Sequence, residues 1–399
     1  MRLKFKCVLF FFIISTLSFL FFNSLLSWKY KFIVKPYELI SLQFAANTDY
    51  DNKTVAATSY PIRPRKKILI YTPLFGVTPW WYIPYNYNFK NFDGKMCPVH
   101  DCNVTYSKDE LPSSDMVVFY GRDLPNLNHL KEISRTRRPP HQIWLFYMHE
   151  SPIFSYGDTT AYSGLFNWTA TYRHDSDITV TYHFYFPLEN EDERPQLGQN
   201  FAAGKGKLIT WMNSHCDSDR IKFVTKLREH AKLDVYGGCS RHFRPQTPNC
   251  PRKSKQCTEI MQQYKFFLAF ENSFCKDYIT EKYWLNGLEA GLVPVVIGYG
   301  DYYNEKLAVP GSFVDVQKFE SLQKLASYLD YLDKNDTAYN EYHKWRYNYK
   351  LKNHHCMCEF CKAAQELKLP PKTIDLEEFW GKKTCDLEKK PLQSIISRS

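Results

Sequence analysis

The chain contains neither a Gly-x-Gly-x-x-Gly fingerprint nor a Gly-x-x-x-x-Gly-Lys-Ser/Thr loop, which leaves nicotinamide and P-loop chemistry poorly supported. It has no internal repeat and no low-complexity tract. With 44% hydrophobic and 24% charged residues, it is neither collagenous nor disordered. Its 52 Lys and Arg exceed 42 Asp and Glu, but the cations are dispersed. The densest run, Arg63 to Lys67, lies beside prolines outside any periodic element. That pattern is a solvated linker and gives nucleic acid no footprint. At 399 residues the length suggests two or more domains with cores of their own, so a mini-protein held only by cross-links is excluded.

Cys7 to Trp28 reads CVLFFFIISTLSFLFFNSLLSW, and about 20 such residues cross a hydrocarbon core. No small-x-small cleavage site follows, so one uncleaved transmembrane anchor is expected. Flanking charge is balanced, with Arg2, Lys4 and Lys6 against Lys29, Lys31 and Lys35. Orientation therefore rests on cysteines and sequons. Eleven of 12 cysteines follow the anchor, and Asn-x-Ser/Thr sequons start at Asn52, Asn103, Asn167 and Asn335. Both features suit an oxidising, glycosylating lumen, and they make cytosolic zinc chemistry at Cys358 and Cys361 an unfavoured reading. The expected order is a cytoplasmic tail (1–6), an anchor (7–28) and a stem (29–66) bearing Pro36, Pro61 and Pro64, followed by a lumenal body.

From residue 67, short apolar runs alternate with longer helical patterns: KKILIY, DMVVFY, QIWLFY, KLITWM, KFFLAF and VPVVIG. Such spacing predicts parallel α/β sheets. The acidic, Pro- and Gly-containing segment 186–206 marks the domain boundary, giving domains at 67–200 and 201–365 and a tail at 366–399. The clearest element is DYITEKYWLNGLEAG, Asp277 to Gly291. Asp277 or Thr280 can cap it, Trp284, Leu285, Leu288 and Leu292 recur at helical spacing, and Gly291 can close it. Ligands in such sheets sit beyond the strand carboxyl ends, where a helix N-terminus favours anions.

Lys282 falls in that first helical turn, where the dipole disfavours a cation unless an anion offsets it; taken alone, an ordinary surface lysine is the plainer reading. Arg220 opens a second helical pattern just after KLITWM, so two cations can hold a diphosphate. Glu150 ends QIWLFYMHESP, where aromatics can raise a carboxyl pKa towards that of a general base; a capping or salt-bridged role is the plainer reading, and His149 is the rival base. Two Asp-x-Asp triplets, Asp175/Asp177 and Asp217/Asp219, have the form of a divalent-ion bridge, but turn and capping roles are preferred. The rings of PWWYIPYNYNF, Pro79 to Phe89, suit sugar stacking and core packing about equally.

The stretch KFFLAFENSFCKDYITEKYWLNGLEAGLVPVVIG, Lys265 to Gly298, strongly resembles the α1,3-fucosyltransferase family of Golgi enzymes. The likeness extends through SFVDVQKFESLQKLASYLDYLDKN to the C-terminal Cys-x-x-Cys. It runs back through LDVYGG and FNWTATYRHDSDI to the ESP of Glu150, and covers about residues 67–365. CDSDR with Cys239, Cys250 and Cys257 is closer to invertebrate members. The chain departs at Met148-His149-Glu150, where members often read Met-Glu-Ser-Pro.

The resemblance implies a glycosyltransferase B architecture, two Rossmann-like domains facing a cleft. It implies inverting transfer of L-fucose from GDP-fucose to the 3-hydroxyl of GlcNAc in N-glycan cores or in LacNAc or LacdiNAc termini. Carried onto this chain, it makes Glu150 the base, Arg220 and Lys282 diphosphate contacts, Glu281 a ribose contact, and Asn272 and Tyr278 further donor-site residues, with Glu271 in the same stretch. No metal is obligatory, and Mn2+ is at most a stimulant. The implied setting is the Golgi membrane, type II and single-pass. The resemblance also implies that Cys97 and Cys102 pair with Cys358 and Cys361; four cysteines allow three pairings. Seven lumenal cysteines then remain, so at least one thiol lies outside intramolecular bonds. A membrane-anchored glycan-binding protein and a transferase using another nucleotide sugar are the competing readings.

Overall fold

The computed structural model describes residues 64–155, 157–248, 250–251, 254–352, 355–366 and 372–398. The expected anchor, the Asn52 sequon and the stem up to residue 63 lie outside them, and among the described residues no helix is long and apolar enough to cross a membrane. Apart from residues 80–84, the described residues form one compact unit.

Two parallel sheets organise that unit. The first contains β1 (Lys66–Ile70), β2 (Cys102–Thr105), β3 (Met116–Tyr120), β4 (Ile143–Met148), β5 (Trp168–Thr171) and β6 (Ile178–Thr179) in the order β2-β1-β3-β4-β5-β6. All five residues of β3 are buried, as a strand covered on both faces requires, and this is why it reads as an unbroken apolar run. Next, β7 (Phe184–Pro187) stands outside the sheet. The second sheet takes β8 (Lys207–Met212), β9 (Leu233–Tyr236), β10 (Tyr264–Leu268), β11 (Val293–Val296) and β12 (Val314–Asp315) in the order β12-β11-β10-β8-β9. β13 (Tyr349–Lys352) returns to pair antiparallel with β7. In the second sheet β8 and β10 are neighbours although β9 separates them in sequence, so connections leave this pair in opposite directions. The topological switch point lies there, and a ligand crevice is expected beyond their carboxyl ends.

The helices are α1 (Leu127–Thr136), α2 (Ser218–Arg228), α3 (Lys255–Gln262), α4 (Glu281–Tyr283, widening into π-turns over Trp284–Glu289), α5 (Leu322–Lys334), α6 (Asp336–Glu341), α7 (Cys356–Glu366), α8 (Leu376–Trp380) and α9 (Lys390–Ser397). Phe266, Leu268, Val293 and Val295 pack with Phe223 and Leu227 of α2, while Phe267 and Val296 face Trp284 and Leu288 on the other side of the sheet. Lys265 within β10 is 4% exposed; its ammonium reaches Asp333 Oδ1 at 3.1 Å and Asp336 Oδ1 at 3.5 Å, the pairing a buried cation needs.

The last forty residues bind back onto both sheets. α7 packs on β1 and β6 and carries the bonds Cys97–Cys358 and Cys102–Cys361, one of the three open pairings. Three further bonds join Cys216–Cys239, Cys250–Cys257 and Cys275–Cys385. The buried Cys356 thiol stays outside all five. Trp380 of α8 sits 5.3 Å from the Tyr172 ring, and Leu392 and Ile395 of α9 are buried in the core of the second sheet. The tail is thus a strap across both sheets, and nothing in its periodicity announces this.

Candidate functional site

A cleft of about 720 Å3 opens beyond the carboxyl ends of β8 and β10. Asn213 to His215 line it after β8, Gly237 and Gly238 after β9, and Asn272 after β10. Gly237 has φ +76°, and a Cβ there would stand 2.7 Å from the Asn213 carbonyl oxygen. Only glycine allows the two loops to approach so closely.

Arg220 reaches this cleft from the first turn of α2. Asp217 caps that helix, accepting from the backbone N–H groups of Asp219 (2.9 Å) and Arg220 (3.3 Å). The Arg220 guanidinium is fully buried. It donates to the His215 carbonyl at 2.7 Å and the Phe270 carbonyl at 3.2 Å, and its Nε has no partner among the described residues. Burial lowers its pKa, and Asp217 and Glu271 oppose that. A buried cation with an unused donor beside a cleft is set up to receive an anion.

Thr280 caps α4, its hydroxyl accepting from Lys282 N–H at 3.4 Å. Asp277 does not: it has φ +61°, and its carboxylate accepts from the His174 imidazole at 2.6 Å, which draws it away from the helix start. Of the expected apolar face, Trp284 and Leu288 are buried while Leu285 is 37% exposed; the π-turns widen the helix and displace the 3.6-residue stripe. Glu281, Lys282 and Asn286 line the cleft. Glu271, 3% exposed, lies beneath them. It accepts from Thr280 N–H and Oγ1, both at 2.8 Å, and from the Lys282 ammonium at 3.0 Å. Burial alone would lower the Lys282 pKa, but the Glu271 and Glu281 carboxylates outweigh it and raise it. Lys282 is therefore held as a cation.

Glu150 follows β4 and is half-buried. Burial pushes its pKa up and the Glu281 carboxylate adds to this, while Lys282 and Arg122 pull it down. The carboxyl group of the first sheet thus feels the charges on α4. Tyr278, 3% exposed, packs 4.9 Å from the Tyr172 ring and 6.2 Å from Tyr182. Burial raises its pKa well above the usual phenol value, and Glu150, Glu271 and Glu281 reinforce the rise. It does not line the cleft. His149 is committed elsewhere. Its Nε2–H donates to the Val180 carbonyl at 2.8 Å, its ring stacks on Tyr182 at 5.1 Å, and burial holds its pKa down at about 4.

The Asp-x-Asp carboxylates are occupied. Asp175 pairs with Arg173 and Lys276, Asp177 with Lys372, and Asp217 with Lys389. Among the described residues no group of three or more His, Cys, Asp or Glu side chains can hold a metal ion. Among the sequons, Asn103 lies exposed on β2. Asn167 donates from its side-chain nitrogen to the Lys372 carbonyl at 3.1 Å, and Asn335 accepts from Ala338 N–H at 3.0 Å at the start of α6. Of the loop rings, Trp81 and Tyr85 are exposed and Phe89 is buried.

Sequence reasoning missed Arg122, Arg241, Gln246 and Thr247, of which the last three line the cleft. The Gly237-Gly238 pair ending a buried strand was the available signal for that wall. Arg122, in a polar turn after β3, offered none.

The family model for glycosyltransferase family 10 (fucosyltransferase), C-terminal part, matches residues 202–379, and the fucosyltransferase N-terminal model matches 63–183. The chain is 31% identical over 328 residues to glycoprotein 3-alpha-L-fucosyltransferase A of Drosophila melanogaster, covering 79% of this chain and 60% of that protein. It is 35% identical over 270 residues to the human 4-galactosyl-N-acetylglucosaminide 3-alpha-L-fucosyltransferase FUT6, covering 67% of this chain and 71% of that one. A structure described as the crystal structure of an alpha1,3-fucosyltransferase aligns with 80% of this chain and 94% of its own, at 17% identity and TM-score 0.46. With both halves of its body matched, the chain belongs to glycosyltransferase family 10, the fucosyltransferases, and is an enzyme of that class.

Proposed function

We propose that this enzyme transfers L-fucose from GDP-fucose to the 3-hydroxyl of a GlcNAc residue in glycoprotein or glycolipid glycans, inverting the fucose anomeric carbon. The observation that carries the reading is electrostatic. Arg220 and Lys282, one with an unused donor and one held charged, line the same cleft, and Glu150, outside that lining, feels the charges of Glu281 and Lys282.

In this scheme the GDP diphosphate lies against Arg220 and Lys282. Each well-placed donor to the developing charge contributes roughly 3 kcal/mol, so the leaving group departs as an anion and needs no proton. Glu150, ionised, takes the acceptor hydroxyl proton as that oxygen bonds to the anomeric carbon and the bond to phosphate breaks. Asn272 and Glu281 line the nucleotide side, with Glu281 towards the ribose; Glu271 fixes the start of α4 behind them. Two Rossmann-like halves of glycosyltransferase B type frame the reaction. Residues 7–28 anchor it as a type II protein in the Golgi membrane, with the disulfide-bonded body in the lumen. No metal ion is obligatory in this scheme, and Mn2+ serves as a stimulant.

Incubating the chain with GDP-fucose, UDP-galactose, UDP-GlcNAc and CMP-sialic acid on a panel of GlcNAc-terminated acceptors tests this. Fucosylated product from GDP-fucose alone, linked at the 3-hydroxyl, is expected. Product from another donor, or binding of glycan with no product from any donor, contradicts it.

A further inference from the structure

Lys389 belongs to the strap, yet its side chain ends at the start of α2. Its ammonium pairs with Asp217 Oδ2 and stands 3.9 Å from Asp219 Oδ2. The Lys389 and Asp217 side chains are 15% and 14% exposed, so salt screens this pair little. Lys389 has φ +51°, a region that residues with a Cβ keep where their surroundings hold them. The strap supplies that hold: Cys385 is bonded to Cys275, the Asp386 N–H donates to the Phe274 carbonyl at 2.7 Å, and the Lys276 N–H donates to the Thr384 carbonyl at 3.0 Å. The Asp386 carboxylate accepts from the Lys390 N–H at 2.6 Å. α9 then packs on α2, where the Lys226 ammonium donates to the Ile396 carbonyl at 2.9 Å.

We propose that Lys389 is a positioning residue for the donor: by balancing Asp217 it leaves the charge of Arg220 to the diphosphate. The inference rests on the reading of Arg220 as a diphosphate contact. Asp217 stands between the two cations. Its Oδ1 accepts from the Asp219 and Arg220 N–H groups, and its Oδ2 accepts from Lys389. Burial would raise the Asp217 pKa, but Lys389, the Arg220 N–H and the Arg220 charge outweigh it and lower it, so the group is a carboxylate. Arg220 feels that negative charge while its guanidinium bonds to carbonyls. A carboxylate left unbalanced there would cancel part of the field that draws an anion into the cleft. Lys282 cannot make up the difference, because its ammonium already lies 3.0 Å from Glu271 and 3.3 Å from Glu281.

The test measures inhibition constants of GDP and of guanosine, each competing with GDP-fucose, on the full chain. Wild type, Lys389→Met, Asp217→Asn and the double variant are compared; such constants do not depend on how much of a preparation is folded. Lys389→Met should raise the GDP constant roughly 10-fold, the order expected of one unbalanced charge in partly buried surroundings. The constant for guanosine, which carries no phosphate, should not move. Adding Asp217→Asn should return GDP to near its wild-type constant, since asparagine still caps α2 but no longer opposes Arg220. A merely structural role predicts a double variant no better than Lys389→Met. Asp217→Asn alone should bind GDP at least as tightly as wild type, which tests the proposal even where Lys389→Met fails to fold; weaker binding there overturns it. An unchanged GDP constant in Lys389→Met, or a loss that the double variant does not recover, also overturns it. Arg220→Met separates the two readings: if it keeps the wild-type GDP constant, the diphosphate reading of Arg220 itself fails, and the role of Lys389 with it.

Discussion

The Lys282 ammonium lies 3.0 Å from Glu271 Oε2, with side chains 15% and 3% exposed. This buried pair fixes a cation in the first turn of α4, where the helix dipole alone would repel it. The same carboxylate also accepts both Thr280 donors, so cap and cation share one anchor. Glu271→Gln should cost about 3 kcal/mol of stability, because it leaves a buried ammonium short of its counter-charge. Lys282→Met in that background should recover part of the loss. Denaturant unfolding of the four proteins in the cycle measures the coupling, and purely additive losses would contradict it.

Arg220 spends two nitrogens on backbone carbonyls and keeps Nε unused. Arg220→Met should lower kcat/KM about 100-fold through the departing diphosphate. Arg220→Lys should restore only a fraction of it, since an ammonium cannot reproduce the planar fork. Steady-state kinetics with GDP-fucose as the varied substrate reads this out.

As the proposed base, Glu150 should set the acid limb of the pH profile. Its pKa is raised by burial and by Glu281, and lowered by Lys282 and Arg122. The active form is the carboxylate, so activity is present above that raised pKa and is lost as pH falls through it. The limb should therefore lie above the ordinary range of an exposed glutamate. Arg122→Met removes one of the lowering charges and should move the limb to still higher pH. A kcat/KM profile unchanged in Arg122→Met would contradict the coupling.

Cys275–Cys385 closes a sequence separation of 110 residues and ties the strap to the loop after β10. Cys385→Ser should cost about 4 kcal/mol by releasing that loop in the unfolded chain. A thermal unfolding series of Cys385→Ser against wild type checks the prediction.

The parts of this architecture that were legible are those in which local pattern and global role agree. KLITWM, KFFLAF and VPVVIG read as buried strands and became β8, β10 and β11, because parallel strands covered on both faces must be apolar throughout. Thr280 and Gly291 bracket α4 as cap and terminator for equally local reasons. What stayed illegible depends on partners far along the chain. Asp277 could be read as a cap only because His174, more than a hundred residues earlier, cannot be foreseen as its partner. Trp380 looks like an ordinary tail aromatic until Tyr172 and Phe146 are placed against it. The electrostatic partnership of Glu150 with Arg122, which follows the neighbouring strand, and with Glu281, more than a hundred residues later, likewise exists only in the folded chain.

Turnover of Glu150→Gln at saturating donor and acceptor, with GDP-fucose affinity measured alongside, addresses the base most directly. A fall in kcat of about 100-fold or more, with donor affinity unchanged, is the predicted result. Wild-type turnover in that variant would mean that another group removes the acceptor proton.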